Sequence, residues 1–143
     1  MGLDVDALRE SFELVITRSP TLTVRFYEIL FARYPDVRSL FGRNTAAKQE
    51  EMLSRALSAI IDHLEDAPWL TETLGAMGAK HVDYGVKDEM YAWVGYSLLE
   101  TLAEVAAAEW TPRVESAWRQ AYGAITDLMQ TGARQAAARA VAS

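Results

Sequence analysis

His81 is the side chain with the clearest capacity for chemistry in this sequence. It closes an apolar stripe of helical spacing, whose other members are Leu70, Leu74 and Met77. A neutral imidazole has a ring nitrogen that binds metals or exchanges a proton near neutral pH. A single histidine on an apolar face is more often a hydrogen-bonded core residue than a ligand. Taken alone, His81 therefore leaves both interpretations open.

Tyr27 and Gln49 are two further polar side chains on faces that are otherwise apolar. Tyr27 lies in an apolar run over residues 22–34, and Gln49 precedes Leu53 by about one helical turn. A phenol hydroxyl and a side-chain amide can each donate a hydrogen bond to a small ligand. Taken singly, Tyr27 also fits a core tyrosine bonded to a backbone carbonyl, and Gln49 also fits a solvent-facing position.

His63 is the second of the two histidines. It follows Gln49 on one predicted helix, and the two side chains lie about 21 Å apart along the axis. One small site does not easily use both residues. We expect His63 to be a surface histidine near the end of its helix, beside Asp62 and Glu65.

The hydrophobic period is helical almost throughout the chain. The predicted helices carry their apolar faces in six groups, which are Val5, Leu8, Phe12 and Val15; Leu22, Phe26, Tyr27, Leu30, Phe31 and Tyr34; Gln49, Leu53, Leu57, Ile60 and Leu64; Leu70, Leu74 and Met77; Tyr91, Val94, Leu98, Leu102 and Val105; and Val114, Trp118, Ala121, Ile125 and Leu128. No convincing strand pattern, repeat or interdomain linker is visible. The sequence therefore predicts one all-α domain of six main helices.

Proline and short polar residues mark several predicted helix starts. Ser19-Pro20 and Thr111-Pro112 each fit an N-cap followed by proline at the first helical position. Asp88 is a third candidate cap, at the start of the helix that carries Tyr91.

Glycines and alanines suggest how the last helices pack. Gly95 and Gly123 each sit inside a predicted helix, where glycine costs about 1 kcal/mol relative to alanine. Together they suggest close helix crossings, although an exposed position explains either one alone. From Gly132 onward the large apolar side chains become rare, and we expect the terminus to fray from there.

Composition narrows the functional classes. The 143 residues are enough for one domain with a hydrophobic core. The net charge of −6 argues against nucleic acid and anionic membranes as main partners. The absence of cysteine excludes disulfides, thiolate nucleophiles, zinc–thiolate sites, iron–sulfur clusters and cysteine-attached haem. Any metal here needs nitrogen or oxygen ligands.

The sequence also bears on location and assembly. The N-terminal residues are acidic and lack the apolar run of a secretory signal. No apolar stretch approaches the length of a membrane span. We therefore expect a cytoplasmic protein without a membrane partner. Trp93 and Trp110 fit either a dimer contact or the filling of helix seams, so monomer and dimer both stay open.

The candidate residues stand in an ordered pattern that covers most of the chain. An aromatic run over residues 26–34 ends at Pro35, and Phe41 follows that proline by six residues. The pattern continues with Gln49, Leu53, His81, Val94-Gly95, Leu98-Leu99, Trp118 and Ala121-Tyr122-Gly123. From about residue 5 to residue 130 it resembles the globin family, in particular bacterial single-domain globins, the haem domain of flavohaemoglobins and neuroglobin. The resemblance implies the globin fold, a three-on-three helical sandwich, over a single domain of residues 1–143.

The resemblance implies a role for each matching residue around a noncovalent haem b. His81 matches the proximal histidine, whose ring nitrogen binds the iron. Tyr27 and Gln49 match the two polar distal residues, and Phe41 matches the phenylalanine that packs flat on the porphyrin. The other expected cofactor contacts are Leu53 beside bound gas, Val86 and Val94 along the porphyrin, Tyr91 beneath the haem, and Met77 and Lys80. Like Arg43 and Lys48, Lys80 is a candidate to pair with the haem propionates, and each of the three also fits a solvated surface charge.

The resemblance implies that the protein reversibly binds dioxygen or other small gaseous ligands. Such binding serves delivery, storage or scavenging of the gas, and the resemblance assigns no residue a catalytic role. Flavohaemoglobins carry a supporting glutamate on the last helix, where this chain has Ala133. Without that carboxylate, His81 should push less electron density to iron, which favours oxygen binding over oxygen activation. The alternatives are a nitric oxide dioxygenase that uses an external reductase, a gas sensor, and a haem-free helical domain that acts by interaction.

Overall fold

Six α-helices follow one another along the part of the chain that the computed structural model describes, residues 3–42 and 44–142. They are α1 (Val5–Arg18), α2 (Leu22–Arg33), α3 (Ala46–Asp62), α4 (Ala67–Asp83), α5 (Asp88–Ala106) and α6 (Pro112–Ala142). Short 3₁₀ helices occupy Pro35–Phe41 and Ala107–Glu109. No strand occurs in the described residues. The all-α prediction is confirmed, with the helices in the expected order.

Short polar side chains begin several helices by accepting a backbone hydrogen bond. The Thr111 hydroxyl accepts from the Val114 backbone N–H at 3.3 Å, which confirms the predicted start of α6. Three further caps were not predicted from the sequence. The side chains of Asp4, Thr45 and Asp66 accept hydrogen bonds from the backbone N–H groups of Ala7, Lys48 and Trp69, respectively.

Two of the predicted caps are wrong. Ser19-Pro20 lies in a turn rather than at the start of α2, because the Leu22 N–H donates to the Ser19 carbonyl and the helix begins only after Thr21. Asp88 is the first residue inside α5, and Lys87 occupies the cap position. Inside the first turn, the Asp88 carboxylate still interacts favourably with the positive end of the helix dipole.

The helices form a three-on-three sandwich, with α1, α3 and α4 in one layer and α2, α5 and α6 in the other. Helix α4 runs along α6, α2 packs on α5, and α1 contacts both α5 and α6. Ion pairs Arg25–Glu104 and Arg33–Glu100, each 2.7 Å, tie α2 to α5. Trp118 in α6 is buried and donates a 2.8 Å hydrogen bond to Ser11 in α1.

Helices α4 and α6 approach each other backbone to backbone. A Cβ atom placed on Gly78 would lie 2.5 Å from the Met129 carbonyl carbon, and one on Gly132 would lie 2.5 Å from the Gly75 carbonyl carbon. Ordinary carbon contacts are well over 3 Å, so no side chain fits at either crossing point. This crossing, which the helical periods in the sequence do not reveal, holds α4, the helix that carries His81.

The two glycines singled out from the sequence, Gly95 and Gly123, differ in what surrounds them. A Cβ on Gly95 would lie 2.6 Å from the Tyr122 ring, so the close approach expected there is confirmed. A Cβ on Gly123 would have no neighbour within 4 Å, so the close crossing expected there is wrong. Gly123 lies on an exposed face of α6. Glycine there lowers helix propensity, and no close helix contact compensates for that cost.

The C-terminal segment differs from the fraying end expected from about residue 132. Helix α6 continues to Ala142. Gly132 is buried against Gly75 and Ala136 is half-buried, whereas residues 137–141 form exposed helix. The high intrinsic helix propensity of alanine accounts for regular structure with little to pack against. Within the described residues, no helix is long and apolar enough to cross a membrane.

Candidate functional site

A large apolar cavity lies between the two helical layers. Its volume is about 520 Å³, within the usual range for a site that encloses a small-molecule ligand or cofactor. Nine of the ten residues expected from the sequence to contact a cofactor line it, namely Tyr27, Phe41, Gln49, Leu53, Met77, His81, Val86, Tyr91 and Val94. The fold therefore brings together side chains from α2, α3, α4 and α5 that are far apart in sequence.

His81 lines the cavity from the last turn of α4. Its Nδ1 atom lies 2.6 Å from the Met77 carbonyl oxygen. A carbonyl oxygen can only accept, so Nδ1 carries the ring proton and Nε2 keeps a free electron pair. Burial lowers the pKa of the imidazole, while the bond to Met77 acts in the opposite direction. At neutral pH the ring is therefore neutral, which is the form that binds a metal.

Tyr91 and Tyr122 pack beside His81. The Tyr91 ring lies 6.5 Å from the His81 ring at an angle of 27°, and burial raises the pKa of its phenol. The Tyr122 hydroxyl donates a 2.5 Å hydrogen bond to the Tyr91 backbone carbonyl, and its ring occupies the space left by Gly95. Sequence reasoning found Tyr91 but gave Tyr122 no role at the site. Helix α6 thus holds the start of α5 beside the histidine.

No carboxylate is hydrogen-bonded to His81 or Tyr91 in the described part of the chain. The hydrogen bond of the His81 ring goes to a backbone carbonyl, and the carboxylate that acts on the Tyr91 phenol is Asp88, which raises its pKa by repulsion. Ala133 stands half-buried on α6. A neutral carbonyl partner fixes the orientation of the imidazole without adding the negative charge that a carboxylate would supply.

Tyr27 belongs to an aromatic cluster on the α2 side of the cavity. Its ring centroid lies 5.4 Å from that of Phe41, nearly edge-on at 72°, and 5.7 Å from that of Phe31. Burial raises the pKa of the Tyr27 phenol; a hydrogen bond with the Gln49 side chain opposes this rise, and repulsion from the Glu50 carboxylate adds to it. The phenol is therefore protonated at neutral pH, as a hydrogen-bond donor must be.

The three basic residues considered for pairing with a cofactor differ from the other candidates. Lys80 and Lys48 are exposed and do not line the cavity. Arg43 lies outside the described residues. Contacts between these side chains and a cofactor therefore stay predictions. Their exposure is compatible with either a rim contact or a solvated surface charge.

The inner part of the cavity contains residues to which sequence reasoning gave no role at the site. They include Leu57, Ile60 and Ile61 from α3, Leu64 just after that helix, and Trp118, Ile125 and Met129 from α6. The signal for the first group was present, because most of them continue the apolar face that starts at Gln49 and Leu53. The α6 residues also recur with a helical period, which predicts that they face inward. The period does not show whether an inward-facing residue lines a cavity or packs in the filled core.

His63 lies apart from the cavity, as expected. It is half-buried at the end of α3, where its ring stacks on Trp69 with centroids 3.9 Å apart. Its Nδ1 atom is 2.8 Å from the Ala59 carbonyl oxygen. The ring is thus more enclosed than the surface histidine predicted, because Trp69 at the start of α4 covers it.

Comparisons with known proteins agree with this architecture. The family model described as Globin matches residues 24–129. A flavohemoprotein of Vibrio cholerae is 30% identical over 120 residues, covering 82% of this chain and 30% of that protein. A flavohemoprotein of Bordetella pertussis is 35% identical over 110 residues, covering 76% and 27%. The chain therefore spans less than a third of the length of these relatives.

Solved structures give the same result. An engineered carbene transferase, made from a proposed nitric oxide dioxygenase of Rhodothermus marinus, is 26% identical with a TM-score of 0.82, covering 96% of this chain and 95% of that one. A bacterial globin of Campylobacter jejuni is 23% identical with a TM-score of 0.78, covering 92% and 94%. The latter likeness shows the fold alone. With the family model matching most of the chain, the sequence resemblance is confirmed, and the protein is a member of the globin family.

Proposed function

We propose that this protein binds haem b noncovalently and uses it to bind dioxygen reversibly. The observation that carries the proposal is the neutral His81 imidazole, with an unprotonated Nε2, in one apolar cavity with the donors Tyr27 and Gln49. This is the pairing that a gas-binding haem site needs, an iron ligand together with hydrogen-bond donors for the gas.

The residues of the cavity fit a haem. Its volume is sufficient for a cofactor, and nearly all its lining side chains are apolar, as a porphyrin requires. His81 would hold the iron through Nε2, and Phe41 and Val94 offer apolar surface to the ring. When bound, the haem supplies an iron atom with a coordination position for a gas.

Tyr27 and Gln49 would set how long the gas stays. Each donor can add about 1 kcal/mol to ligand binding, and about 1.4 kcal/mol corresponds to a tenfold slower release. Because the phenol stays protonated, this donation is available throughout the physiological pH range. The apolar side chains around Leu53 would exclude water, which would otherwise compete for both donors.

The second candidate function is nitric oxide dioxygenation with an external reductase. The curated relatives are flavohemoproteins, and the Rhodothermus marinus protein is a proposed nitric oxide dioxygenase. Ala133 argues against a dedicated enzyme, because His81 has no carboxylate behind it in the described residues.

Hemin titration and gas equilibria test the leading proposal. The purified protein should acquire a Soret band with one equivalent of hemin and, after reduction, take up and release dioxygen without net oxidation. Absence of a Soret band after hemin addition would refute every haem function at once.

A second measurement separates the two functions. With a flavin reductase and reduced nicotinamide added, we expect nitric oxide consumption no faster than that of free hemin, because no carboxylate stands behind His81 in the described residues. Sustained turnover well above that of free hemin would favour the dioxygenase.

A further inference from the structure

A second pocket lies on the outer side of α2. Its volume is about 460 Å³, and it is lined by Val24, Tyr27, Glu28, Phe31, Ala32, Arg38 and Glu50. Five of these residues recur at steps of three and four along α2, so they form one face of that helix. Arg38 comes from the 3₁₀ helix and Glu50 from the first turns of α3. The charged side chains of Glu28, Arg38 and Glu50 make this pocket polar.

Tyr27 is the one residue that lines both the outer pocket and the apolar cavity in the described chain. Repulsion from Glu50, on the outer side, reaches its phenol, and so does the hydrogen bond with Gln49, on the cavity side. The Tyr27 side chain is therefore the partition between a polar space open to solvent and an apolar space inside the fold.

The neighbours of Tyr27 favour a movable partition. Its ring contacts are aromatic, with Phe26, Phe31 and Phe41 at 5.0 to 5.7 Å. Such contacts are weak and tolerate ring displacement. Arg38 stacks over the Phe31 ring at 5.5 Å and packs that ring into the outer wall independently of Tyr27.

We propose that small neutral gases reach the cavity through the outer pocket, passing the side chain of Tyr27. The proposal rests on the proposed function, because it assumes that a haem occupies the cavity. A haem would fill most of the apolar space, which leaves a gas either the opening lined by the exposed Asn44, Met52 and Tyr84 or a passage between side chains of the wall. The wall beside the outer pocket is a single side chain thick.

Bulky substitutions in the outer pocket test this route. Val24 and Ala32 are the first and last of the α2 residues that line the outer pocket, and neither lines the apolar cavity. Val24→Trp and Ala32→Trp therefore each add an indole at one end of the outer pocket. Ile16→Trp is the matched control, because Ile16 is 40% exposed, Val24 is 39% exposed, and Ile16 lines neither pocket. The probe is carbon monoxide, with rebinding followed by flash photolysis of the reduced, hemin-loaded protein.

A blocked route has a distinct kinetic signature. We expect carbon monoxide association in at least one of the two variants to slow by about tenfold. Release should slow by the same factor, leaving the equilibrium affinity unchanged, because a barrier on the path affects both directions equally. The fraction that rebinds before escaping should rise. The Ile16→Trp control should match the parent protein in all three quantities.

The outcomes separate this inference from the proposed function. Failure of the parent protein to bind hemin would refute the proposed function itself. Normal Soret bands and hemin affinities in all variants, with unchanged association rates in both pocket variants, would show that the gas takes another path. A change in equilibrium affinity without slower association would mean that the indole distorts the cavity, and it too would overturn the route.

Discussion

Gly78→Ala is the substitution that most directly tests how the fold positions its histidine. The added Cβ would lie 2.5 Å from the Met129 carbonyl carbon and 2.8 Å from its Cα. Its nearest neighbour would be the Met129 carbonyl oxygen, closer still, so restoring contacts of about 3.5 Å requires α4 to retreat from α6 by more than about 1 Å. His81 lies one turn further along α4, so its imidazole would move by a similar distance.

The cost follows from two opposing effects. Overpacking of this kind costs about 1–3 kcal/mol, while alanine returns up to about 1 kcal/mol of helix propensity. We expect a net loss of about 1–2 kcal/mol, or roughly 3–6 °C in the thermal midpoint for a domain of this size. Because His81, the proposed iron ligand, moves, hemin affinity should also fall, and the Soret maximum of the loaded protein should shift.

Gly123→Ala is the matched control. It makes the same change inside α6, but a Cβ there would have no neighbour within 4 Å. This variant should be stabilised by about 0.5–1 kcal/mol and should bind hemin like the parent. Urea unfolding of the apoprotein and hemin titration measure both quantities. If Gly78→Ala proved as stable as Gly123→Ala and left hemin binding unchanged, the close crossing would not position the histidine.

Three other substitutions test the site and the packing of α2 on α5. His81→Ala should abolish stable hemin retention, as measured by gel filtration with Soret detection, whereas His63→Ala should retain it; equal loss in both would contradict the ligand assignment. Tyr27→Phe should speed dioxygen release about tenfold by removing a hydrogen bond of about 1.4 kcal/mol, and an unchanged stopped-flow rate would mean that the phenol does not reach the gas. A hydrogen bond from Arg25 lowers the pKa of Glu104 below its ordinary value of 4.5, so this carboxylate stabilises the fold at neutral pH, and the contribution is lost as pH falls below about 4.5 through the lower folded-state pKa. Glu104→Gln should therefore flatten the dependence of the urea midpoint on pH in that window; a slope equal to that of the parent would show that the ion pair does not contribute.

The cavity could be predicted largely from spacing. Tyr27, Gln49 and His81 are polar residues on apolar helical faces, and each apolar face in a helical protein must turn inward. The order and separation of these positions then matched one family, which implied several further lining residues such as Phe41 and Leu53 but not the inner wall. Lys80 is the exception, because a surface charge has no apolar period and spacing alone does not say where a flexible side chain ends.

Glycines show where sequence reasoning stops. Gly95 and Gly123 look alike in sequence, as single glycines inside amphipathic helices. Only the packing shows that Gly95 faces the Tyr122 ring while Gly123 faces solvent. The glycines at the crossing that holds the helix of His81, Gly78 and Gly132, could not be recognised from the sequence because a crossing depends on two helices at once.

The sequence by itself determined the number and order of the helices and their inward faces, because periodicity is a local property, and its resemblance to one family singled out His81 as the proposed iron ligand. Tertiary structure decided which ring nitrogen of His81 is free, which backbones touch, and that Tyr27 separates two spaces rather than lining one. Each of these depends on where a second element lies, and a one-dimensional pattern does not contain that distance.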